Sequence, residues 1–167
     1  MKPAKLLITA LTILGVSSSI SLAGAGVQGH SHGDSHGANA ETAFGQAGDP
    51  KKPARIINVT MRETDGKMLF VPNAIEVKKG EQIRFMLRNN GELDHEIILA
   101  TFEENQKHAI KMQKNPDMEH DDANAKRLAP KKMAEMVWQF TKAGEFDFAC
   151  LIPGHREAGM HGKITVK

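Results

Sequence analysis

The chain has 167 residues, 40% hydrophobic and 25% charged, a composition that suits one ordinary globular domain and suggests no second one. Its formal net charge is +2, and loss of Lys2 and Lys5 with a leader takes the basic residues from 22 to 20, equal to the 20 acidic ones. That balance excludes a nucleic-acid-binding footprint, and the pairs Lys51-Lys52, Lys78-Lys79 and Lys131-Lys132 read as solvated turns.

Residues 1–25 have the pattern of a secretory signal peptide: Lys2 and Lys5, an apolar stretch from Leu6 to Val16, then small residues around Ala23 and Ala25. A membrane anchor needs about 18 uninterrupted apolar residues. Thr9, Thr12 and the serines at 17–19 interrupt this stretch, so no stable membrane insertion is expected after cleavage.

Residues 26–54 are rich in Gly, Ala, Ser, Asp and Pro, with Phe44 as the only aromatic, and are expected to form a disordered tail. Within it, His30, His32 and His36 offer a weak site for additional copper or another divalent metal, or simply belong to a polar linker.

From Arg55 the pattern changes to short apolar runs of period two separated by turn residues, the signature of a β-sandwich or barrel. Ile56 to Met61 forms the first run. Ala74 to Val77 follows the Val71-Pro72-Asn73 turn, and Ile83, Phe85 and Leu87 alternate with polar neighbours. His95 to Phe102 gives another apolar run after the turn at Asn89-Asn90-Gly91. Residues 103–132 read as a polar insertion: Thr101-x-x-Glu104 is a capping box, Pro116 stops the helix, and an exposed loop follows. Met136, Trp138 and Phe140 share one strand face, Phe146, Phe148 and Cys150 another, and Lys163 to Lys167 closes the chain.

Cys150 is the single cysteine, so a secreted chain of this kind has no internal disulfide. Taken alone, it is a buried inert residue, an intermolecular partner, a nucleophile or a metal ligand. Its surroundings favour the last. Cys150, His155 and Met160 occur with the spacing Cys-x4-His-x4-Met, so that one hairpin loop presents a thiolate, an imidazole and a thioether around one point. His95, 55 positions before Cys150, is the candidate fourth ligand that a sandwich would bring near. Two histidines, a cysteine and a weak axial methionine make a blue-copper arrangement suited to cycling between Cu(I) and Cu(II).

Three segments carry a family resemblance over residues 55–167: Phe70-Val-Pro-Asn-Ala-Ile-Glu-Val-Lys-Lys-Gly80-Glu, the Asn89 to His95 turn, and Gly144-Glu-Phe-Asp-Phe-Ala-Cys150 through His155 and Met160 to Gly162-Lys-Ile-Thr-Val. In order and spacing they resemble the cupredoxins, the type 1 copper proteins. The resemblance implies an all-β Greek-key β-sandwich with a helix and loop insertion at 103–132. It also implies one type 1 copper centre with His95, Cys150 and His155 equatorial and Met160 axial.

The overall layout is most similar to the periplasmic copper-tolerance cupredoxins of Gram-negative bacteria. Met118, His120 and Asp121 in the segment Pro116 to Asp122 are candidates for a second copper site, with His108 or Met112 as further ligands. Two roles use the same centre: periplasmic copper tolerance, or a soluble electron carrier passing electrons through His155 to a redox partner docked near Leu151, Ile152 and Pro153. No enzymatic role is expected, because no hydrolase motif surrounds Cys150 and the extra copper-binding histidine clusters of copper oxidases are missing.

Overall fold

The computed structural model describes residues 41–116, 118 and 122–167, all of which belong to the unit Asp34–Lys167. The expected leader at 1–25 and His30, His32, His36, His120 and Asp121 lie outside the described residues. Among the described residues no helix is long and apolar enough to cross a membrane.

Two five-stranded sheets face each other. The first contains β1 (Gln46–Ala47), β2 (Arg55–Thr64), β3 (Lys67–Val71), β5 (Gln82–Asn89) and β8 (Met133–Gln139), in the order β1-β8-β5-β2-β3. The second contains β4 (Ala74–Val77), β6 (His95–Ala100), β7 (Ala125–Leu128), β9 (Gly144–Ala149) and β10 (His161–Val166), in the order β4-β10-β9-β6-β7. β2 runs parallel to β5 and β4 to β10, and the other pairs are antiparallel. This is the all-β sandwich expected from the period-two runs.

The alternation is physical. In β5, Ile83, Phe85 and Leu87 are buried while Gln82, Arg84 and Met86 are only half-buried, and Val59, Met61, Met136, Trp138, Phe148 and Ile164 meet them from the other strands. Every residue of β6 is buried. Its His95, Ile97 and Leu99 point into the sandwich, whereas Ile98 joins Met112, Ala125, Ala149 and Leu151 in a second cluster on the opposite side. That second side is covered by α1 (Phe102–Lys114). A capping box starts the helix: the Thr101 hydroxyl accepts from the Glu104 N–H, and the Glu104 carboxylate accepts from the Thr101 N–H.

Two segments differ from the expectation. Residues 41–54 do not belong with a disordered tail, because Phe44 is 4% exposed, stacks on Trp138 with ring centroids 5.2 Å apart, and accepts the Trp138 indole N–H through its carbonyl at 3.1 Å. Gly45 has φ +126, and a Cβ there would collide with the Gln139 carbonyl. A single aromatic in a polar run gave no periodicity to read, yet it fills a gap that Trp138 leaves. Likewise residues 125–128 are a strand rather than exposed loop: Ala125 and Leu128 are buried and β7 pairs with β6. At four residues with a basic pair in the middle, it is too short to show alternation.

Phe44→Ala is expected to lower unfolding free energy by about 3 kcal/mol, measured as a shift of the urea midpoint. An unchanged midpoint would mean that residues 41–47 do not contribute to the core.

Candidate metal centre

Cys150 follows directly on β9 and Met160 immediately precedes β10, so the strand pair fixes both ends of the intervening loop. The Cys150 N–H donates to the Met160 carbonyl at 3.0 Å, and the Met160 N–H donates to the His155 carbonyl at 3.0 Å. The loop is thus closed on itself around His155. Cys150 and Met160 are both fully buried members of the main core cluster. His161, the next residue, is exposed on the other face.

His95 opens β6, the strand paired with β9 in the same sheet, and is also fully buried. Its Nδ1 lies 3.2 Å from His155 Nδ1, which in turn lies 3.3 Å from Cys150 Sγ. One ligand atom from each of the three residues falls within 4.8 Å of the others, so the set can hold a metal ion.

The tautomer follows from the partners. His95 Nε2 is 2.8 Å from Glu63 Oε1, and a carboxylate only accepts, so Nε2 carries the proton and Nδ1 presents its lone pair to the centre. Two ring nitrogens at 3.2 Å repel unless a proton or a cation lies between them. A thiolate and two imidazole nitrogens, with Met160 buried in the same core cluster, are a set that fits copper in either oxidation state.

Electrostatics point the same way. Burial pushes the Cys150 thiol up to about 12, only partly offset by the Glu96 N–H that approaches its sulfur at 3.5 Å. Burial, and then the neighbouring His95 ring, hold the His155 imidazole below its ordinary value. Burial would also raise Glu63, but the N–H groups of Glu92 and Leu93 and the His95 ring hold its carboxyl below the usual carboxylate range. A pocket that resists an isolated thiolate holds one only when a cation compensates it, while the same burial keeps His155 in the neutral form that a metal ligand needs.

The loop is braced from outside by residues that the sequence did not single out. Arg156 makes a two-pronged ion pair with Asp147 at 2.8 and 3.1 Å, Asn105 of α1 donates to the same carboxylate at 2.7 Å, and the guanidinium lies 5.4 Å from the Phe102 ring centroid. On the inner side of the second cluster, Glu96 is 1% exposed and accepts the Leu151 N–H at 3.0 Å. Burial pushes its carboxyl up.

Of the remaining sequence candidates, those among the described residues lie elsewhere. Met112 is fully buried in the second apolar cluster and Met118 packs on it. His108 lines a separate cavity of about 610 Å³ between α1 and residues 41–47. Among the described residues only His95, Cys150 and His155 form a metal-binding cluster. The expected apolar docking surface is also smaller than anticipated: Pro153 is exposed and Ile152 half-buried, but Leu151 is 2% exposed and faces the second cluster.

In the copper-free chain, alkylation of Cys150 by iodoacetamide at pH 8 should be at least about 100-fold slower than in the urea-unfolded chain. The unfolded thiol ionises near 9.0 and the folded one near about 12, so the stabilisation it gives is full below pH 9 and falls away as pH rises between those values. Loss of that pH-dependence in Cys150→Ala checks the assignment. Arg156→Ala leaves the Asp147 carboxylate with only Asn105 and is expected to cost about 2 kcal/mol, less than a fully buried pair, read from urea unfolding.

The comparisons with known proteins agree with this geometry. A family described as "Copper binding proteins, plastocyanin/azurin family" matches residues 57–167. The chain is 46% identical over 143 residues to the copper-resistant cuproprotein CopI of Rubrivivax gelatinosus, covering 83% of this chain and 85% of that protein. It is 38% identical to the protein of the same name from Pseudomonas aeruginosa, covering 100% of this chain and 99% of the relative. In fold it is similar to auracyanin B, with a TM-score of 0.59 at 20% identity over 74% of this chain and 96% of the other. With a buried thiol and two imidazoles converging at one end of a β-sandwich, and the match running from β2 to the C-terminal residue, this chain belongs to the plastocyanin/azurin family of copper binding proteins.

Proposed function

We propose that the chain is a periplasmic, redox-active type 1 copper protein that serves copper tolerance and is not an enzyme, with one ion held by His95, Cys150, His155 and Met160. The observation that carries this reading is the convergence of the His95, Cys150 and His155 donor atoms within 4.8 Å, with Met160 buried in the same cluster. Tolerance is supported by the names of the two CopI relatives, both described as copper-resistant cuproproteins. Export to the periplasm is supported by the pattern of Lys2, Lys5 and the apolar stretch Leu6 to Val16.

Copper, when bound, supplies one-electron cycling between Cu(I) and Cu(II). The chain's own residues do the rest. Cys150 Sγ gives up its proton on binding, His95 keeps its proton at Nε2 against Glu63, and the self-closed loop holds His155 and Met160 at a fixed distance from Cys150. The apolar packing around Cys150 and Met160 keeps water from the sulfur donors. A second reading, an electron carrier, is favoured by one observation: His155 is half-buried while His95 and Cys150 are fully buried, so electrons would leave through the His155 ring.

The purified chain loaded with Cu(II) should show an intense visible thiolate-to-copper charge-transfer band that Cys150→Ser abolishes. A missing band, or one that survives the substitution, overturns the proposed centre. Cells lacking the protein should become copper-sensitive and be rescued by the wild type but not by Cys150→Ser. Unchanged copper sensitivity with impaired respiration favours the electron carrier instead. Because residues 41–47 are part of the sandwich, removal of residues 26–40 is the proper test of whether His30, His32 and His36 bind extra copper; a drop in bound copper per chain would show that they do.

A further inference from the structure

The His95 ring is held at both nitrogens: Nδ1 faces the donor cluster, and Nε2 meets a carboxylate supplied by a different sheet. Glu63 lies near the end of β2, 32 residues before His95, and reaches across to it at 2.8 Å. Both of its oxygens are fully engaged by donors. Oε1 accepts from the Leu93 N–H at 3.0 Å as well as from the His95 ring, and Oε2 accepts from the Glu92 N–H at 3.0 Å. Three N–H groups and no donor of its own make this an ionised carboxylate at the back of the ring.

The turn between β5 and β6 is shaped around that carboxylate. A Cβ on Gly91 would collide with both Glu63 oxygens, so the turn approaches the carboxylate more closely than any side chain permits. Asn89, fully buried, pins the same turn: its Oδ1 accepts the Gly91 N–H at 2.9 Å, and its Nδ2 donates to the Leu93 and Leu128 carbonyls at 2.8 and 3.0 Å. A turn with these two constraints presents the Glu92 and Leu93 N–H groups and the His95 ring to one acceptor.

We propose that Glu63 is a positioning residue of the copper centre, fixing the His95 tautomer and making the ring a stronger donor, so that the site favours Cu(II) over Cu(I). The inference rests on His95 being a copper ligand. A carboxylate accepting the Nε2 proton draws that proton away and raises electron density at Nδ1. The negative charge behind the ring also interacts more favourably with the doubly charged ion than with the singly charged one. A neutral acceptor at the same place supplies the geometry without the charge, which separates this role from that of a simple brace for the turn.

The test compares the full-length copper-loaded wild type with Glu63→Gln. In wild type, the charge-transfer band is expected together with a hydrogen-bonded His95 Nε2–H resonance that exchanges slowly in the NMR spectrum of the Cu(I) form. In Glu63→Gln the band should persist, while the preference for Cu(II) over Cu(I) falls about tenfold, equivalent to a rise of about 59 mV in reduction potential for one electron. The Nε2–H resonance should move upfield.

A band that persists with an unchanged potential shows that Glu63 only braces the turn and overturns the proposal. If Glu63→Gln does not fold, the wild-type spectrum decides: absence of the protected Nε2–H resonance overturns the proposal, and its presence in the Cu(I) form supports it. A wild type without the charge-transfer band instead refutes the copper centre itself, which distinguishes the two failures.

Discussion

The Cys150 thiol is fully buried just after β9, where burial pushes it up to about 12, and two imidazole nitrogens lie within 4.8 Å of it. An apolar pocket does not stabilise a thiolate by itself; the charge needs a cation in direct contact. The self-closed Cys150 to Met160 loop, the ring of His95 fixed from behind and the packing of β6 on both faces keep the three donors together.

The helix and the loop after it, which interrupt the sandwich between β6 and β7, serve the same end from the opposite face. With α1 packed over Ile98, Ala149 and Leu151, the strand carrying His95 is shielded on both sides, which is why its six residues are all buried. Phe102 and Asn105 of α1 then reach the loop directly through Arg156 and Asp147. Because Arg156 follows His155 in sequence, this outer brace limits how far the half-buried ligand can swing. Glu96, holding the Leu151 N–H from within, ties the residue on the other side of Cys150. Both neighbours of the ligand loop's fixed points are thereby anchored to the second sheet.

Much of this was legible in the residue order. Period-two alternation in Ile83 to Leu87 and Met136 to Phe140 marks strands because a sheet buried on one face demands it, and the capping box at Thr101 and Glu104 marks a helix start through local hydrogen bonding. Cys150, His155 and Met160 were readable because one short loop carries them all. The segments that escaped, Phe44 to Ala47 and Ala125 to Leu128, are short and mixed in polarity, and they are strands only because β8 and β6 offer unpaired edges. Met112 lies in the second apolar cluster and Met118 packs against it, a setting in which a thioether also serves as a hydrophobe.

Local spacing therefore indicated the fold class, the loop that carries Cys150, His155 and Met160, and copper as the metal, since each depends on residues within a few positions of one another. His95 was a reasoned partner from residue type, but its placement at 3.2 Å from His155 depends on the pairing of β6 beside β9 within one sheet. Glu63 left no trace in sequence: it occupies an ordinary strand position, and its meaning arises when β2 and the Asn89 to His95 turn meet at Gly91. Contacts of that kind join residues far apart along the chain, and the folding of the two sheets onto each other is what brings them within hydrogen-bonding reach.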